Sequence, residues 1–295
     1  MTSQDWGGLR PFAPAPPVSP FLKWAGGKAQ VFEALRHHIP DLGPNAAYFE
    51  PFLGGGAVYF AVRPARAFLS DTNRALILTF QAVKEDLAGL LRDLQKLPPP
   101  EDSEEYYTRR AEFNRLILRR REPGKDARSK IAALFIWLNH TCYNGLYRVN
   151  RKGEFNVPMG SYVHPRIFTR ASLESASRAL IQSDAKLECI DYATALDSAK
   201  SGDFAYLDPP YEPISLTANF TSYTKEGFGF DEQIRLSNAI HRAVSRGVRI
   251  VLSNSSSPSI RELYSDLRTE VVKAPRAISC VGSKRAAVDE LVVVA

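Results

Sequence analysis

The chain has 295 residues, 44% of them hydrophobic, which is enough to bury the core of one large domain and a smaller one. The longest apolar run, 131–138, is far shorter than the roughly 20 residues that a membrane-spanning helix needs, and no signal peptide is recognisable, so a cytoplasmic protein is expected. The three cysteines have no paired spacing, which argues against a zinc site or a disulfide framework and favours reduced thiols.

The net charge of +6 is unevenly distributed along the sequence. Residues 109–152 contain twelve Lys or Arg and three Asp or Glu, a net charge of +9, whereas the remainder of the chain carries −3. A basic segment in a slightly acidic protein suggests a polyanionic partner. A solvated, arginine-rich helix face would give the same count, and charge alone does not separate the two interpretations.

The chain begins with residues 1–20, whose five prolines predict a disordered leader. Beyond it, short apolar runs predict seven strands, at 46–50, 67–71, 186–190, 204–208, 249–253, 269–274 and 289–294. Helical patterns, such as 231–246 and 258–266, separate several of these runs, so an α/β domain with a mostly parallel sheet is predicted. The short connection between the last two runs predicts an antiparallel hairpin.

The long gap between the second and third predicted strands divides the chain into domains. We interpret residues 74–168 as an inserted, mostly helical domain, and residues 21–73 together with 169–295 as the main α/β domain. Inside the insert, the alternating segment 147–157, around Arg151-Lys152-Gly153, predicts a β-hairpin.

Two helices are predicted in this insert. Asp102 and Glu105 can form a capping box for a helix over 103–121, which Pro123-Gly124 would end. A second helix, over 127–140, has apolar residues at helical spacing that we expect to be buried, namely Ile131, Leu134, Phe135 and Leu138.

The strongest local motif is Asp208-Pro209-Pro210-Tyr211, directly after the apolar run 204–207. In open α/β sheets, ligands bind at the carboxyl ends of the strands. An exocyclic amino group on an aromatic ring is a poor nucleophile until acceptors take hydrogen bonds from both of its N–H groups. Asp208 and the Pro209 carbonyl can be these acceptors, and Tyr211 can stack on the base. The alternative is an ordinary strand-to-turn junction with a helix-capping Asp.

A second motif, Phe49 to Gly56 (FEPFLGGG), has the strand, glycine turn and helix start of a Rossmann-like nucleotide site. The glycines would let a ligand approach the backbone closely. About fifteen residues later, Asp71 ends the next predicted strand, where a carboxylate can bind ribose hydroxyls. A structural turn followed by an exposed Asp is the alternative.

A third motif, Phe21 to Lys28 (FLKWAGGK), superficially suggests a P-loop. The pattern fails because Leu22 stands where the first Gly is required and Ala29 where Ser or Thr is required, which argues against ATP binding. The alternative for Trp24 is that it is simply an aromatic residue of the core.

Together these segments resemble the Dam family of DNA adenine-N6 methyltransferases, from Phe21 to about Leu291. The motifs occur in the family's order: FLKWAGGK, EPFLGGG, LSDTN, YNGLYR, GEFNVPMGSY, LDPPY, TANFTSY and VDEL. The resemblance implies a Rossmann-like methyltransferase fold, with a mixed, mostly parallel seven-stranded sheet and an inserted target-recognition domain. It also implies methyl transfer from S-adenosylmethionine to N6 of a flipped-out adenine in GATC, without a metal.

The resemblance further implies roles for individual residues. The cofactor would be bound by Trp24, Lys28, Phe52, Gly54, Asp71, Asp191, Tyr192 and Asp208. The catalytic motif would comprise Asp208, Pro209, Pro210 and Tyr211.

The inserted domain would read duplex DNA. Arg148 would contact a guanine in bidentate fashion, Leu146 and Pro158 would meet a thymine methyl group, and Lys23 with Tyr162 would specify the first guanine. Tyr143 would wedge into the duplex, and Asn144 would position the loop or a phosphate. Packing of the hairpin and ordinary surface charge are the local alternatives.

Two other functions use the same features. One is N-methylation of RNA or of a protein amide, against which the basic insert argues, and the other is a non-catalytic DNA-binding regulator on this scaffold. Duplex DNA is the expected partner of a monomer that does not associate with membranes, and a cognate restriction endonuclease is a further candidate partner.

Overall fold

The computed structural model describes residues 18–24, 32–43, 45–119, 121–211, 228–274 and 288–295. Most of the predicted leader lies outside these ranges. The strands are β1 (Tyr48–Glu50), β2 (Ala67–Ser70), β3 (Lys186–Glu188), β4 (Phe204–Leu207), β5 (Arg249–Ser255), β6 (Arg268–Ala274) and β7 (Val288–Val294). They form one seven-stranded sheet in the order β3-β2-β1-β4-β5-β7-β6.

The direction of the strands is mixed, as predicted. β1 pairs in parallel with β2 and β4, β2 with β3, and β4 with β5. β7 lies antiparallel between β5 and β6, with Leu291 opposite both Asn254 and Val271. The α/β class and the antiparallel pairing of the last two predicted strands are therefore confirmed.

Helices cover both faces of this sheet. They are α1 (Phe32–Leu35), α2 (Ala57–Val62), α3 (Arg74–Glu85), α4 (Leu87–Gln95), α5 (Ser103–Ile117), α6 (Lys125–Thr141), α7 (Arg170–Gln182), α8 (Tyr192–Ser198), α9 (Phe230–Ser245) and α10 (Pro258–Leu263). No helix in the described ranges is both long enough and apolar enough to cross a membrane.

Strand β4 shows why the central strands appear as continuous apolar runs. Phe204 and Tyr206 point into the core that includes residues of α2, α3 and α6. Ala205 and Leu207 point into the opposite core, which includes residues of α8, α9 and α10. A strand that is covered on both faces has no position that favours a polar side chain, and successive residues alternate between the two cores.

Helix α5 is shorter than predicted and is capped differently. Asp102 accepts a hydrogen bond from the Glu105 amide at 2.8 Å, but the Glu105 carboxylate accepts from the Glu101 amide instead of closing the box on Asp102. The helix ends at Ile117 rather than near residue 121. The Arg74 guanidinium donates to the carbonyls of Ile117 and Arg119, at 2.8 and 3.2 Å, and so occupies acceptors that a longer helix would use.

Helix α6 begins immediately afterwards. Gly124 is its N-cap, so this glycine starts α6 and does not stop α5. The four residues predicted to be buried, Ile131, Leu134, Phe135 and Leu138, are each at most 2% exposed. The second predicted helix of the insert is therefore confirmed.

The predicted hairpin is present only in a reduced form. Val149 and Phe155 form an isolated antiparallel bridge instead of part of a regular ladder. The Asn150 side chain accepts hydrogen bonds from the amides of Lys152 and Glu154, at 2.9 and 3.0 Å, and thereby shapes the turn. Gly153 has a φ of 79°, which only glycine adopts readily.

Two of the cysteines lie in the described ranges, and both are free thiols. Cys142 is buried and Cys189 is exposed, while Cys280 lies outside those ranges.

The end of β1 buries a carboxyl group. Glu50 is 3% exposed and accepts a hydrogen bond from the Tyr48 hydroxyl at 2.7 Å. Burial, together with a smaller effect of the nearby charge of Asp208, raises the pKa of Glu50 to about 8. A carboxyl group in such a site holds its proton at neutral pH.

This buried acid predicts a loss of stability in mild alkali. Between pH 7 and 9 the folded protein releases the Glu50 proton, whereas the unfolded chain has already lost it, so the folded state binds more protons and rising pH favours unfolding. We expect a fall of about 1 kcal/mol in the free energy of unfolding across this window. Urea titrations at pH 7, 8 and 9 measure it.

The control is Glu50→Gln, which keeps the shape of the side chain but cannot titrate. Its stability should change less than that of the wild type over the same window. Parallel curves for the two proteins would contradict the assignment of this proton to Glu50.

Candidate active site

The carboxyl ends of β1, β2 and β4 meet at one edge of the sheet. β1 lies between the other two strands. The glycine loop therefore follows the central strand, with Asp71 after β2 on one side and Asp208 after β4 on the other. Because parallel strands end at the same edge, the two predicted motifs and the predicted ribose-binding carboxylate come together here.

The glycine loop is bound to Asp71. The Gly54 amide donates to one carboxylate oxygen at 3.1 Å, and the Asn73 amide donates to the other at 2.9 Å. Burial raises the pKa of Asp71 to about 6, although these backbone bonds oppose the shift. The carboxylate is thus mostly ionised at neutral pH and joins the turn after β1 to the turn after β2.

Trp24 explains why the loop needs glycine at position 54. A Cβ atom there would lie 2.7 Å from the indole Nε1, and Gly54 has a φ of 47°. The same indole stacks on Tyr147, with ring centroids 6.3 Å apart and planes at 19°. Trp24 therefore packs against the loop, which agrees with the alternative that it is a core aromatic residue. It also lies at the predicted cofactor site. Lys28 lies outside the described residues.

A group of aromatic rings lies after β1 and β3. Phe52 stacks on Tyr192 with ring centroids 5.2 Å apart. Phe228 and Phe52 form a T-shaped pair with ring centroids 5.9 Å apart. Tyr192 is buried, whereas Phe52 is partly exposed. Asp191 caps α8 through the Ala193 amide and forms two hydrogen bonds with Arg235, at 2.8 and 3.0 Å. Phe228 is partly exposed as well.

The motif at residues 208–211 follows β4 directly. Asp208 and Pro210 are partly exposed and Pro209 is buried. Tyr211 is 37% exposed and donates its hydroxyl proton to Glu290 on β7. Glu290 also accepts from the Ser253 hydroxyl at 3.3 Å. The ring of Tyr211 is thus fixed at its hydroxyl end.

A second buried pair holds the backbone of the motif. Gln233 on α9 donates to the Pro210 carbonyl at 3.2 Å, and its own carbonyl accepts from Asn254 at 2.9 Å. Both amide side chains are fully buried. The Pro209 carbonyl, which the predicted chemistry uses, is not the one that Gln233 occupies.

These supporting residues were not predicted from the sequence. Glu290 belongs to the VDEL segment, which was matched only as a motif, and Glu50 belongs to the glycine loop segment without a role of its own. Polar residues in otherwise apolar strands, such as Ser253 and Asn254 in β5, are the signal that could have identified them. Gln233 gives no such signal, because it is a polar residue in an amphipathic helix.

The predicted DNA-contacting residues gather around the turn after α6. The Tyr143 amide donates to the Pro158 carbonyl at 2.9 Å, which places the two residues side by side. Asn144 adopts a left-handed conformation with a φ of 54°. Tyr143 is 47% exposed, and Tyr162 is 36% exposed with the Lys23 ammonium 4.1 Å from its ring centroid.

Two residues of the predicted readout make contacts within the protein. Leu146 is partly buried against the core, so packing accounts for part of its surface. Arg148 donates from Nε to the Asn156 side chain at 2.8 Å. That bond orients the guanidinium and does not use the terminal nitrogens, the donors of a bidentate guanine contact.

A possible metal-binding group lies elsewhere in the described part of the chain. Ligand atoms of His37, His38 and Glu270 lie within 4.8 Å of one another. Glu270 accepts from His38 at 3.1 Å and from Arg268 at 2.6 Å, so its charge is already compensated. Glu270 belongs to β6, the outer strand of the sheet, and the group is separate from the site at β1 and β4.

Comparison with known proteins gives the same family as these motifs. The family described as D12 class N6 adenine-specific DNA methyltransferase matches residues 24–278. The Type II methyltransferase M.MjaIII of Methanocaldococcus jannaschii is 39% identical over 283 residues, covering 91% of this chain and 95% of that protein.

Two further relatives cover similar shares. The Type II methyltransferase M1.LlaDCHI of Lactococcus lactis subsp. cremoris is 39% identical and covers 94% of this chain and 95% of its own length. The DNA adenine methylase of Escherichia coli K12 is 36% identical over 277 residues, covering 92% of this chain and 93% of its own length. The chain therefore belongs to the D12 class of N6 adenine-specific DNA methyltransferases.

Proposed function

We propose that this enzyme transfers a methyl group from S-adenosylmethionine to N6 of a flipped-out adenine in duplex DNA, and that its recognition sequence is GATC. The observation that carries the proposal is the position of Asp208-Pro209-Pro210-Tyr211 at the carboxyl end of β4, beside the glycine loop and Asp71. The Escherichia coli relative is named DNA adenine methylase, which supports adenine in DNA as the substrate.

The residues present fit S-adenosylmethionine. A carboxylate offers about four acceptor sites, so Asp71 can accept ribose hydroxyls in addition to the amides of Gly54 and Asn73. Phe52 offers a partly exposed ring. We propose that the site is formed by Trp24, Lys28, Phe52, Gly54, Asp71, Asp191, Tyr192 and Asp208. When bound, the cofactor supplies an electrophilic methyl group.

The residues after β4 prepare the amino group for attack. Asp208 and the Pro209 carbonyl accept hydrogen bonds from its two N–H groups, which exposes the nitrogen lone pair. Tyr211 stacks on the base, and the bond to Glu290 keeps its ring in place. Because Gln233 and Asn254 hold the motif from the buried side, the acceptors are fixed before the substrate arrives. Such preorganisation is a major source of enzymatic rate enhancement.

The inserted domain, proposed as residues 74–168, reads the duplex together with Lys23. Arg148 contacts one guanine, Lys23 and Tyr162 contact the other, and Leu146 with Pro158 meets a thymine methyl group. Tyr143, an exposed aromatic residue, fills the space that the flipped adenine leaves, and Asn144 holds the turn or a phosphate. The enzyme acts as a monomer, and a restriction endonuclease of the same specificity is a candidate partner because two relatives are named Type II methyltransferases.

Sequencing of DNA from expressing cells tests the proposal. Expression in cells that lack adenine methylation should place N6-methyladenine at GATC and nowhere else. Methylation of another sequence would reject GATC while keeping the chemistry, and methyl transfer only to RNA or protein would reject the substrate.

Asp208→Ala should abolish catalysis without preventing DNA binding. Loss of a preorganised contact at the reacting atom lowers kcat by about 100-fold or more. Single-turnover methylation of a labelled duplex measures the rate, and gel shift at the same salt measures the affinity. Asp197→Ala is the matched control, because this α8 carboxylate is 53% exposed and pairs with Arg242 and Arg246. Turnover of Asp208→Ala within about tenfold of the wild type would remove Asp208 from the mechanism.

Asp71→Ala should weaken cofactor binding. Hydrogen bonds to charged groups contribute roughly 1.5–3 kcal/mol each, so we expect the dissociation constant for S-adenosylmethionine to rise at least about tenfold. Calorimetry measures the affinity, and thermal unfolding confirms that the variant folds. Asn73→Ala is the control, since Asn73 caps α3 through the Leu76 amide in the same turn and leaves the Asp71 carboxylate in place. Equal effects of the two substitutions would move the ribose contact elsewhere.

Arg148→Ala should relax specificity at one guanine–cytosine pair. A bidentate contact discriminates by about 1–3 kcal/mol, so activity on GATC should fall while activity on duplexes altered at that pair changes little. Steady-state methylation of GATC and its single-substitution variants at fixed salt measures this ratio. Arg151→Ala, an exposed charge in the same turn, should instead slow every duplex about equally. The same uniform loss with Arg148→Ala would identify Arg148 as a backbone contact.

A further inference from the structure

The Asn139 side chain joins two segments that are far apart in the sequence. Its oxygen accepts from the Lys23 amide at 2.8 Å, and its nitrogen donates to the Lys23 carbonyl, also at 2.8 Å. The same nitrogen donates to the Gly145 carbonyl at 3.2 Å. Asn139 lies near the end of α6 and is 4% exposed. This buried amide therefore binds the backbone of Lys23 on both sides and the turn that follows α6.

Gly145 closes the same contact from the other side. Its φ is 63°, and a Cβ atom there would lie 2.5 Å from Lys23 Cβ. No side chain fits between the turn and Lys23. The spacing of the two segments is therefore set by the absence of a side chain at Gly145 and by the three hydrogen bonds of Asn139.

The Lys23 ammonium depends on this backbone position. Its Nζ donates to the His140 carbonyl at 3.4 Å and lies 4.1 Å from the ring centroid of Tyr162. Tyr162 and Tyr143 are exposed on this side of the protein. Partial burial also lowers the pKa of Lys23. A shift of the Lys23 backbone would displace this donor from the proposed DNA surface.

We propose that Asn139 is a positioning residue for sequence recognition, which fixes Lys23 against the turn at Tyr143 to Gly145 without contacting DNA. The inference rests on the proposed function, because it assigns to Lys23 the reading of a base. The two segments form one recognition unit, and its geometry is determined by a residue that faces the protein interior.

Asn139→Ala should lower discrimination at one base pair. We expect the ratio of kcat/KM for the target duplex to that for the duplex altered at the pair that Lys23 reads to fall at least about tenfold, the scale of one lost base contact. The ratios at the other pairs should change little. Steady-state methylation of the target and all its single-substitution variants provides these ratios.

Two further variants distinguish positioning from general stability. Gly145→Ala leaves Asn139 intact but forces Lys23 away, so it should alter the same ratio, and it keeps the test decisive if Asn139→Ala folds poorly. In a Lys23→Ala background, Asn139→Ala should have no additional effect on that ratio, because both changes remove one contact. Thr141→Val is the matched control, since its buried hydroxyl donates to the Trp137 carbonyl on the same helix.

The outcomes separate the two proposals. Wild-type activity with an unchanged ratio in both Asn139→Ala and Gly145→Ala would overturn the positioning role alone. Independent effects of Lys23→Ala and Asn139→Ala on the ratio would overturn it as well. Absence of wild-type methylation on every duplex would reject the proposed function and this inference with it.

Discussion

The parallel alignment of β1, β2 and β4 is the constraint on which the site depends. Because these strands end at one edge, residues from turns that are far apart in the sequence become neighbours. The bond from the Gly54 amide to Asp71 then fixes two of these turns to each other. The glycine loop, the Asp71 carboxylate and the motif at 208–211 keep their relative positions only while the three strands stay in register.

The buried polar groups beneath this edge of the sheet hold the residues of the site in place. Gln233, Asn254 and Glu290 would be costly in an apolar interior without partners, and each has one in the residues around the 208–211 motif. Glu50 is a different case, because a retained proton and the hydrogen bond from Tyr48 reduce the energetic cost of burying its carboxyl group. The site therefore keeps one buried acid neutral next to Asp208, which limits the negative charge gathered at the strand ends.

The strands and the motifs could be predicted from the sequence because each depends on neighbours along the chain. Runs such as 204–207 are apolar since both faces are covered, and the motif after them follows from local order. The end of α5 could not be predicted, because Arg74 captures the carbonyls of Ile117 and Arg119 from another helix. The partners of Asn139 and Glu290 were equally inaccessible, since a single sequence does not show which distant polar groups will meet.

The proposed insert also packs against the residues around the glycine loop. Tyr147 follows the turn at Tyr143 to Gly145, and its ring stacks on Trp24, which packs against Gly54. Burial and, to a smaller extent, the charge of Asp71 raise the pKa of Tyr147. Lys23 and Trp24 are consecutive, and they face the turn and the glycine loop respectively. A displacement of the turn at Tyr143 to Gly145 must therefore act on the proposed cofactor site through these two residues, so the proposed DNA-reading surface and the proposed cofactor site share one packed unit.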